Sequence, residues 1–289
     1  KTVLLTAMLR SLGIDAEPVV VSTTFGGLLP DRLPNVMLFD HVLVCSVIEG
    51  QTYWLDGTRS GDQSLTNWTV PYYQWGLPLT ASGATLVSMV PPPPPISLTE
   101  THIQIDATAG ITTAAPFHAE AVLRGDAGMA LKLRLDTLAP NQLEQGLRQF
   151  WAQQYNFVQV KAASARFDTA DASEHLVMDG TAQMDWSGNQ YTTDGLGVGF
   201  QADFERTGGP HHDAPFQVPY PIYNHVSERI TLPDGGIGFS VAGQDVDSTV
   251  ASIQYHRHAV IKDGIFSADA SQRAIATEFP ASEAAADQK

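Results

Sequence analysis

Cysteine, basic side chains and long apolar runs are all scarce in this sequence. Cys45 is the single cysteine among 289 residues, which excludes an internal disulfide and any zinc site built from several cysteines. The 16 Lys and Arg residues are outnumbered by 31 Asp and Glu residues, and the net charge of −15 disfavours nucleic acids and anionic membrane surfaces as partners. Because no run of about 18 apolar residues occurs, we predict no transmembrane segment.

The composition predicts a folded chain of two domains. Hydrophobic residues make up 43% of the sequence and charged residues 16%, which is typical of globular proteins rather than disordered ones. Five consecutive prolines, Pro91 to Pro95, form a stiff polyproline stretch that marks a domain boundary. We therefore predict an N-terminal domain over residues 1–90, a linker over 91–96 and a β-rich domain over 97–289.

The N-terminal domain begins with a predicted helix from Thr2 to Leu12. Its apolar residues recur at helical spacing and should form one buried stripe, made of Leu4, Leu5, Met8, Leu9 and Leu12. The helix lacks an N-cap residue and the chain starts without Met, so we expect the first turn to lie upstream, in a longer protein. A short buried strand, Glu17 to Ser22, follows, and then a long loop, Thr23 to Leu38. A loop of this length beside a core is typical of a functional rim.

The next stretch predicts a β-hairpin. Two runs rich in β-branched and aromatic residues, Phe39 to Ile48 and Gln51 to Thr58, are separated by the pair Glu49-Gly50. That is the pattern of two antiparallel strands joined by a two-residue turn.

A histidine and an aspartate meet on this hairpin if Glu49 and Gly50 form its turn. Leu43 then lies opposite Asp56, and His41 is the diagonal neighbour of Asp56 on the same face. Such a diagonal spans roughly 7–8 Å at the backbone, within reach of a histidine–carboxylate hydrogen bond. The pair would supply the base and the orienting acid of a nucleophilic site, and a purely structural pair is the competing interpretation. A register shift of one residue would place the two side chains on opposite faces.

Two further residues of the hairpin share the face of this pair. Cys45 lies four residues beyond His41, about 13 Å along the strand, so we expect a buried structural cysteine rather than the nucleophile. Trp54 alternates onto the face of Asp56. It is a candidate substrate-binding residue, and packing in the core is the alternative.

Beyond the linker, the sequence predicts a β-rich, sandwich-like domain with one helix, so that the whole chain is α+β. The helix runs from about Asn141 to Tyr155, and Asn141 with Glu144 suggests a capping box. Alternation of apolar and polar residues predicts the strands, at Thr101–Ile105, Phe117–Leu123, Leu131–Leu135, Phe157–Val160, His175–Trp186, Val198–Phe204, Val226–Leu232, Gly238–Val241 and Val250–His258.

Histidines of the second domain are weak candidates for metal binding. His256 and His258 share one strand face and could chelate a metal ion, but the sequence identifies no third ligand. His211-His212-Asp213 follows Gly-Gly-Pro and is more typical of an exposed loop. We therefore predict no metal ion and no other cofactor.

The order of helix, strand, loop and hairpin resembles the transglutaminase-like superfamily, which has a papain-like core. The residues that carry this resemblance are Phe39-Asp40-His41-Val42-Leu43-Val44 and Tyr53-Trp54-Leu55-Asp56-Gly57-Thr58. The closest likeness is to a bacterial branch whose core follows an N-terminal β-rich domain of unknown function. That branch typically reads Asp-Cys-Lys-Asp-Lys before a Leu-rich helix that ends in Leu-Gly-Ile. Lys1 to Ile14 fits the part after the cysteine, whereas Gly57 stands where the family often has Pro.

The resemblance implies a cysteine nucleophile three residues before Lys1, with His41 as its general base and Asp56 as its orienting acid. The implied activity is that of an acyltransferase or amidase acting on carboxamides of a protein or peptide substrate. Transfer to an amine and hydrolysis, as in cysteine protease-like relatives, both remain open. Without the nucleophile, the chain as given is expected to be inactive.

The resemblance also implies a periplasmic or cell-envelope location. A further expected partner is the N-terminal part of the same protein. The alternative to an enzyme is a non-catalytic module, in which a degenerate core serves as a scaffold and the β-rich domain binds a protein or an envelope glycan.

Overall fold

The computed structural model describes residues 1–59, 73–184, 186–187, 189–193, 197–199, 203–206, 208–209 and 212–287. Over these ranges the protein is α+β and rich in strands, as predicted, and its sheets include a curled half-barrel. The chain divides into two compact units, Lys1–Pro92 and Pro93–Lys289, at a point inside the five-proline run. None of the described helices is both long and apolar enough to span a membrane.

The first unit pairs a helix, α1 (Thr2–Ser11), with an antiparallel sheet. The strands lie in the order β3-β2-β1-β4-β5, so the predicted hairpin forms one edge of the sheet. Two short 3-10 helices, Gly26–Asp31 and Val36–Leu38, occupy the predicted long loop. The strands are β1 (Ala16–Val21), β2 (His41–Ile48), β3 (Gln51–Leu55), β4 (Trp75–Pro78) and β5 (Val87–Ser88).

Both faces of this sheet carry a small apolar core, because β1 and β2 present apolar side chains in both directions. On the α1 side, Leu5 and Leu9 pack on a buried cluster, which consists of Ala16, Val44 and Leu55. On the opposite side the buried residues are Val19, Val21, Leu43 and Met89. His41 and Asp56 belong to this second face, since side chains alternate along each strand.

The predicted buried stripe of α1 is only partly correct. Leu4, Met8 and Leu12 are 65%, 56% and 75% exposed, whereas Thr6 is buried and donates to the carbonyl of Thr2. The stripe was too wide because a single sheet covers only the face that carries residues 5, 6 and 9. Among the residues that the structure describes, none covers the apolar face of α1 that carries Leu4, Met8 and Leu12.

The second unit is built on one large sheet. Its eight strands lie in the order β12-β13-β14-β11-β6-β7-β9-β8, and all neighbours are antiparallel except β6 and β11. β10 and β15 form a separate two-stranded sheet. The strands are β6 (Thr99–Asp106), β7 (Ala115–Leu123), β8 (Val158–Asp168), β9 (Ser173–Ala182), β10 (Phe216–Gln217), β11 (Tyr223–Thr231), β12 (Val246–Val250), β13 (Ile253–Lys262), β14 (Ile265–Ala274) and β15 (Glu278–Phe279).

Helices cover one face of the large sheet. They are α2 (Gly125–Leu135), α3 (Pro140–Gln154) and α4 (Ala281–Asp287), so the prediction of a single helix is wrong. Trp151 and Leu147 of α3 enter the main core, which contains Ile105, Phe117 and Met178 of the sheet. The described strands form this one large sheet and a two-stranded one, rather than the two facing sheets of a sandwich.

The predicted strand at Leu131–Leu135 is wrong, because these residues belong to α2. Leucines at 131, 133 and 135 alternate with basic residues and imitate a half-buried strand. Ala, Leu, Lys, Arg and Met are also good helix formers, and Leu131 and Leu135 are four residues apart, on one face of a helix. Both pack against the main core, and Leu133 is 46% exposed.

Other boundaries in this unit differ locally. α3 begins at Pro140, so Asn141 is inside its first turn rather than its N-cap, and the amide of Ala139 donates to Gln142 Oε1 at 3.3 Å. The predicted strand at Gly238–Val241 is irregular. The described residues of Val198–Phe204 also lie outside strands. A turn at residues 251–252 divides Val250–His258 between β12 and β13. β14 was not predicted, because its many Ala and Ser residues give a weak strand pattern.

Candidate active site

The hairpin turn and register are as predicted. Ile48 pairs with Gln51, and Val44 pairs with Leu55, which places Leu43 and Asp56 at the next opposed position. Glu49 and Gly50 have φ values of 53° and 80°, as a two-residue turn of type I′ requires at both central positions.

This turn leads to a stability prediction. Glu49 is an L residue with a side chain at positive φ, where asparagine is tolerated better. We expect Glu49→Asn to raise the free energy of unfolding by about 0.5 kcal/mol, and Gly50→Ala to lower it by about 1 kcal/mol. A Cβ at position 50 would meet nothing within 4 Å. The loss of stability in Gly50→Ala would therefore come from backbone strain and not from a steric clash. Urea denaturation measures both, and equal effects of the two substitutions would contradict the assigned turn.

The hairpin brings His41 and Asp56 into direct contact. His41 is the first residue of β2, Asp56 directly follows β3, and His41 Nε2 lies 2.8 Å from Asp56 Oδ2. The side chain of Asp56 is 4% exposed and that of His41 is 24% exposed. The carboxylate is therefore largely shielded from water, while the imidazole remains accessible.

Thr58 is a third member of the site, and its role was not predicted from the sequence. Its amide and its hydroxyl both donate to Asp56 Oδ1, at 2.8 and 2.7 Å. Each oxygen of the carboxylate is thus engaged, one by Thr58 and the other by His41. The local pattern Asp-Gly-Thr was the available signal, because an aspartate side chain often accepts from the amide two residues later.

These contacts control the ionisation of Asp56. Burial is the largest single influence on the pKa of Asp56, and it raises the pKa. The hydrogen bonds from Thr58 and His41 lower the pKa, and together they outweigh burial. The pKa of Asp56 is therefore lower than its ordinary value. The carboxylate stays ionised at neutral pH and can stabilise an imidazolium at His41.

The contact with Asp56 also determines which imidazole nitrogen can act as a base. When Nε2 of His41 donates to the carboxylate, Nδ1 is the acceptor of the neutral ring. Within the described ranges, no side chain or backbone group forms a hydrogen bond with Nδ1. The ring of Tyr73 lies beside His41, with ring centroids 5.9 Å apart. Burial raises the pKa of Tyr73, and the charge of Asp56 adds to this effect.

The beginning of α1 lies beside the same end of the hairpin. Thr2 Oγ1 donates to the carbonyl of Val42 at 3.0 Å. A Cβ built on Gly57 would lie 3.5 Å from the Cβ of Lys1. The N-terminus of α1 is therefore adjacent to Val42 and Gly57, the residues that directly follow His41 and Asp56 in the sequence. Unpaired amides and the helix dipole give such a terminus a partial positive charge, which favours an anion.

The other hairpin candidates lie deeper in the sheet. Cys45 pairs directly with Trp54 across the strands, and both pack on the cluster that contains Val19 and Leu43. Burial raises the pKa of the Cys45 thiol, and the charge of Glu17 raises it further. Both effects disfavour a reactive thiolate at Cys45. Trp54 is half-buried in the same cluster, and its role in substrate binding stays a prediction.

The sequence pointed to two groups of histidines in the second unit as candidate metal ligands, and the structure describes three of these residues. His256 and His258 lie on one face of β13. His212 Nδ1 lies 2.8 Å from the carbonyl of Gly209, while His211 is outside the described residues.

Comparisons with known proteins found no match for the chain among protein-family models, curated proteins or solved structures.

Proposed function

We propose that the first unit is the C-terminal part of a transglutaminase-like, papain-like core, and that the longer protein is a cysteine acyltransferase or amidase. Its substrates would be carboxamides of proteins or peptides, and its triad would be Cys-His-Asp. The observation that carries this proposal is the 2.8 Å contact between His41 Nε2 and the buried carboxylate of Asp56. A base oriented by a buried acid is the arrangement that nucleophilic catalysis requires.

In the proposed reaction, Nδ1 of His41 takes the proton of the cysteine thiol. The thiolate attacks the carboxamide carbon and forms a C–S bond. The C–N bond then breaks, and His41 returns the proton to the leaving nitrogen, so that ammonia or an amine departs. Water or an amine resolves the resulting thioester, with His41 acting again as base. Asp56 holds the imidazole in the tautomer that leaves Nδ1 free and stabilises the imidazolium between these steps.

The proposed nucleophile would lie upstream of Lys1, as the resemblance implies. The position of α1 supports this part of the proposal, because the helix begins beside Val42 and Gly57. A cysteine at or just before this helix start would lie near Val42 and Gly57, the residues that directly follow His41 and Asp56. The helix dipole would also lower the pKa of its thiol. Cys45 is the weaker candidate, since burial raises the pKa of its thiol.

Alkylation of the longer protein tests the proposal. We expect iodoacetamide to modify one cysteine upstream of Lys1 rapidly at neutral pH, and His41→Ala to slow this modification by about 100-fold, the scale of general-base assistance. Mass spectrometry of the modified peptide measures the rate for that cysteine and, as an internal control, for Cys45. An alkylation rate that His41→Ala leaves unchanged would show that the upstream cysteine and His41 do not act together.

A non-catalytic scaffold is the second candidate function. In this alternative a degenerate core serves as a scaffold, and the β-rich domain binds a protein or an envelope glycan. The residue encoded at the upstream position discriminates the two candidates. A residue other than Cys, Ser or Thr there would contradict the enzyme and leave the scaffold.

The proposal extends to location and to an intramolecular partner. We place the protein in the periplasm or cell envelope, in line with the resemblance. The exposed residues Leu4, Met8 and Leu12 of α1 form an apolar surface, and such surfaces are typical of interaction sites. We propose that the N-terminal part of the same protein covers this surface.

A further inference from the structure

One face of the large sheet carries most of the histidines of the second unit. Side-chain alternation and strand pairing place them on the side opposite to buried residues such as Ile253 and Tyr255. Five of these histidines lie within 3.2 Å of a carboxylate oxygen, in the pairs His102–Glu100, His118–Asp179, His175–Glu120, His256–Asp269 and His258–Asp245. Two of the pairs lie together at the corner formed by β12, β13 and β14.

This corner combines two histidines with a carboxylate between them. His256 and His258 are two residues apart on one strand face, about 7 Å at the backbone. Asp269 pairs directly with His258 across the strands, and its Oδ2 lies 3.2 Å from His256 Nε2. Asp269 therefore contacts His256 and is the cross-strand neighbour of His258, whose Nδ1 lies against Asp245, so an ion shared by the three residues requires the His258 side chain to rotate. Asp269 lies on β14, a strand that the sequence pattern did not predict, and for this reason the sequence identified no third candidate ligand.

Two further aspartates complete an acidic surround. Asp245 Oδ2 lies 2.9 Å from His258 Nδ1, and Asp247 is directly opposite His256 on β12. In the part of the chain that the structure describes, no Lys or Arg lies within 4.0 Å of these three carboxylates. The corner therefore concentrates negative charge, and Arg257, on the same strand as the histidines, donates to the carbonyl of Gln244 rather than to one of these carboxylates.

A second cluster of candidate ligands in this unit does not share that property. Asp168, Asp171 and His175 have ligand atoms within 4.8 Å of one another. However, Arg124 Nε lies 3.4 Å from Asp171 and Arg166 Nη1 lies 4.0 Å from Asp168. Guanidinium groups thus already occupy the cation positions there. Both ring nitrogens of His175 are also engaged, at 2.7 Å by Glu120 and at 2.8 Å by Ser173.

We propose that His256, His258 and Asp269 bind a divalent transition-metal ion of the zinc class, with Asp245 or Asp247 as an additional ligand. Imidazole and carboxylate together suit zinc. Both histidine side chains are 49% exposed, so they can rotate toward a common ion without disturbing the core. The ion would link the edge strand β12 to β13 and β14 and would thereby stabilise this edge of the sheet.

Titration calorimetry of the full chain with zinc chloride tests this proposal. We expect one zinc ion to bind per chain, and each of His256→Ala, His258→Ala and Asp269→Asn to weaken binding by at least the roughly 10- to 100-fold that loss of an outer-shell partner costs. Binding should also raise the melting temperature, because an ion that binds only the folded state stabilises it. Lowering the pH from about 7.5 to 5.5 should weaken binding, since protons compete for the imidazoles.

Two controls separate this site from other histidines. His118→Ala removes a histidine of the same face that also lies 2.8 Å from an aspartate, and the double substitution His211→Ala/His212→Ala removes the two consecutive histidines of the sequence. Both should bind zinc as the unmodified chain does. The proposal is overturned if the unmodified chain does not bind zinc. It is equally overturned if His256→Ala and His258→Ala leave binding unchanged, or if either control loses it.

Discussion

Asp56→Ala is expected to lower the free energy of unfolding by about 2–4 kcal/mol at neutral pH, because it removes charge-assisted hydrogen bonds to a buried group. Asp56 accepts from His41 and twice from Thr58, at 2.7–2.8 Å. Its side chain is 4% exposed, so water cannot easily replace these partners in the folded state. Urea denaturation of the full chain, followed by circular dichroism, measures the change.

The matched control is an exposed pair with the same geometry. His118 Nδ1 and Asp179 Oδ1 are also 2.8 Å apart, but their side chains are 39% and 64% exposed. Exposed ion pairs contribute about 0–1 kcal/mol, so Asp179→Ala should have little effect. Equal losses for the two substitutions would show that burial of Asp56 does not strengthen its hydrogen bonds.

The effect of Asp56→Ala should also depend on pH. The pKa of Asp56 is lower in the folded protein than its ordinary value. A carboxyl group of this kind stabilises the folded state fully above its unfolded pKa, about 3.9, and loses this contribution as the pH falls through the folded pKa. The stability difference between the unmodified chain and Asp56→Ala should therefore shrink as the pH falls below about 4. A difference that stays constant as the pH is lowered from about 4 to 2 would contradict the lowered pKa.

Gly128→Ala is expected to lower the free energy of unfolding by about 3 kcal/mol, at the upper end of the usual cost of overpacking. A Cβ built on Gly128 would lie 2.2 Å from the carbonyl oxygen of Leu123 and 2.9 Å from its carbonyl carbon. Both atoms belong to the backbone at the end of β7, which cannot move aside as a flexible side chain would. The glycine therefore allows α2 to begin close to the strand that precedes it.

Gly146→Ala is the control for helix propensity. Gly146 lies inside α3, and a Cβ there would meet nothing within 4 Å. Alanine should raise the stability by about 0.5–1 kcal/mol at this position. Thermal unfolding of the two variants should thus shift in opposite directions. A gain in stability for Gly128→Ala would mean that α2 does not approach β7 as closely as the structure indicates.

The hairpin was predictable from the sequence because its signals are local. Alternating apolar residues flank a Glu-Gly pair, and a two-residue turn determines the register of the strands beside it. The meeting of His41 and Asp56 follows from that register alone. The role of Thr58 is local too, since its two contacts span only two residues, but many Asp-x-Thr sequences make no such contact.

The second unit was less predictable, because its decisive contacts are long-range. β14 is rich in Ala and Ser, and it becomes a strand because it completes the sheet between β11 and β13. Asp269 meets His256 and His258 only as a result of that pairing. In α2, alternation and helix propensity pointed to different structures, and packing of Leu131 and Leu135 on the main core decided between them.

The sequence by itself determined that the chain is α+β, that a hairpin carries His41 and Asp56 on one face, and that five prolines interrupt the chain. These features depend on neighbouring residues, whose spacing fixes their relative positions. Only the tertiary structure decided which face of α1 is buried, that the start of α1 lies beside Val42 and Gly57, and which carboxylate lies beside His256 and His258. Each of these depends on the position of a different element, and residue spacing within one element carries no information about that position.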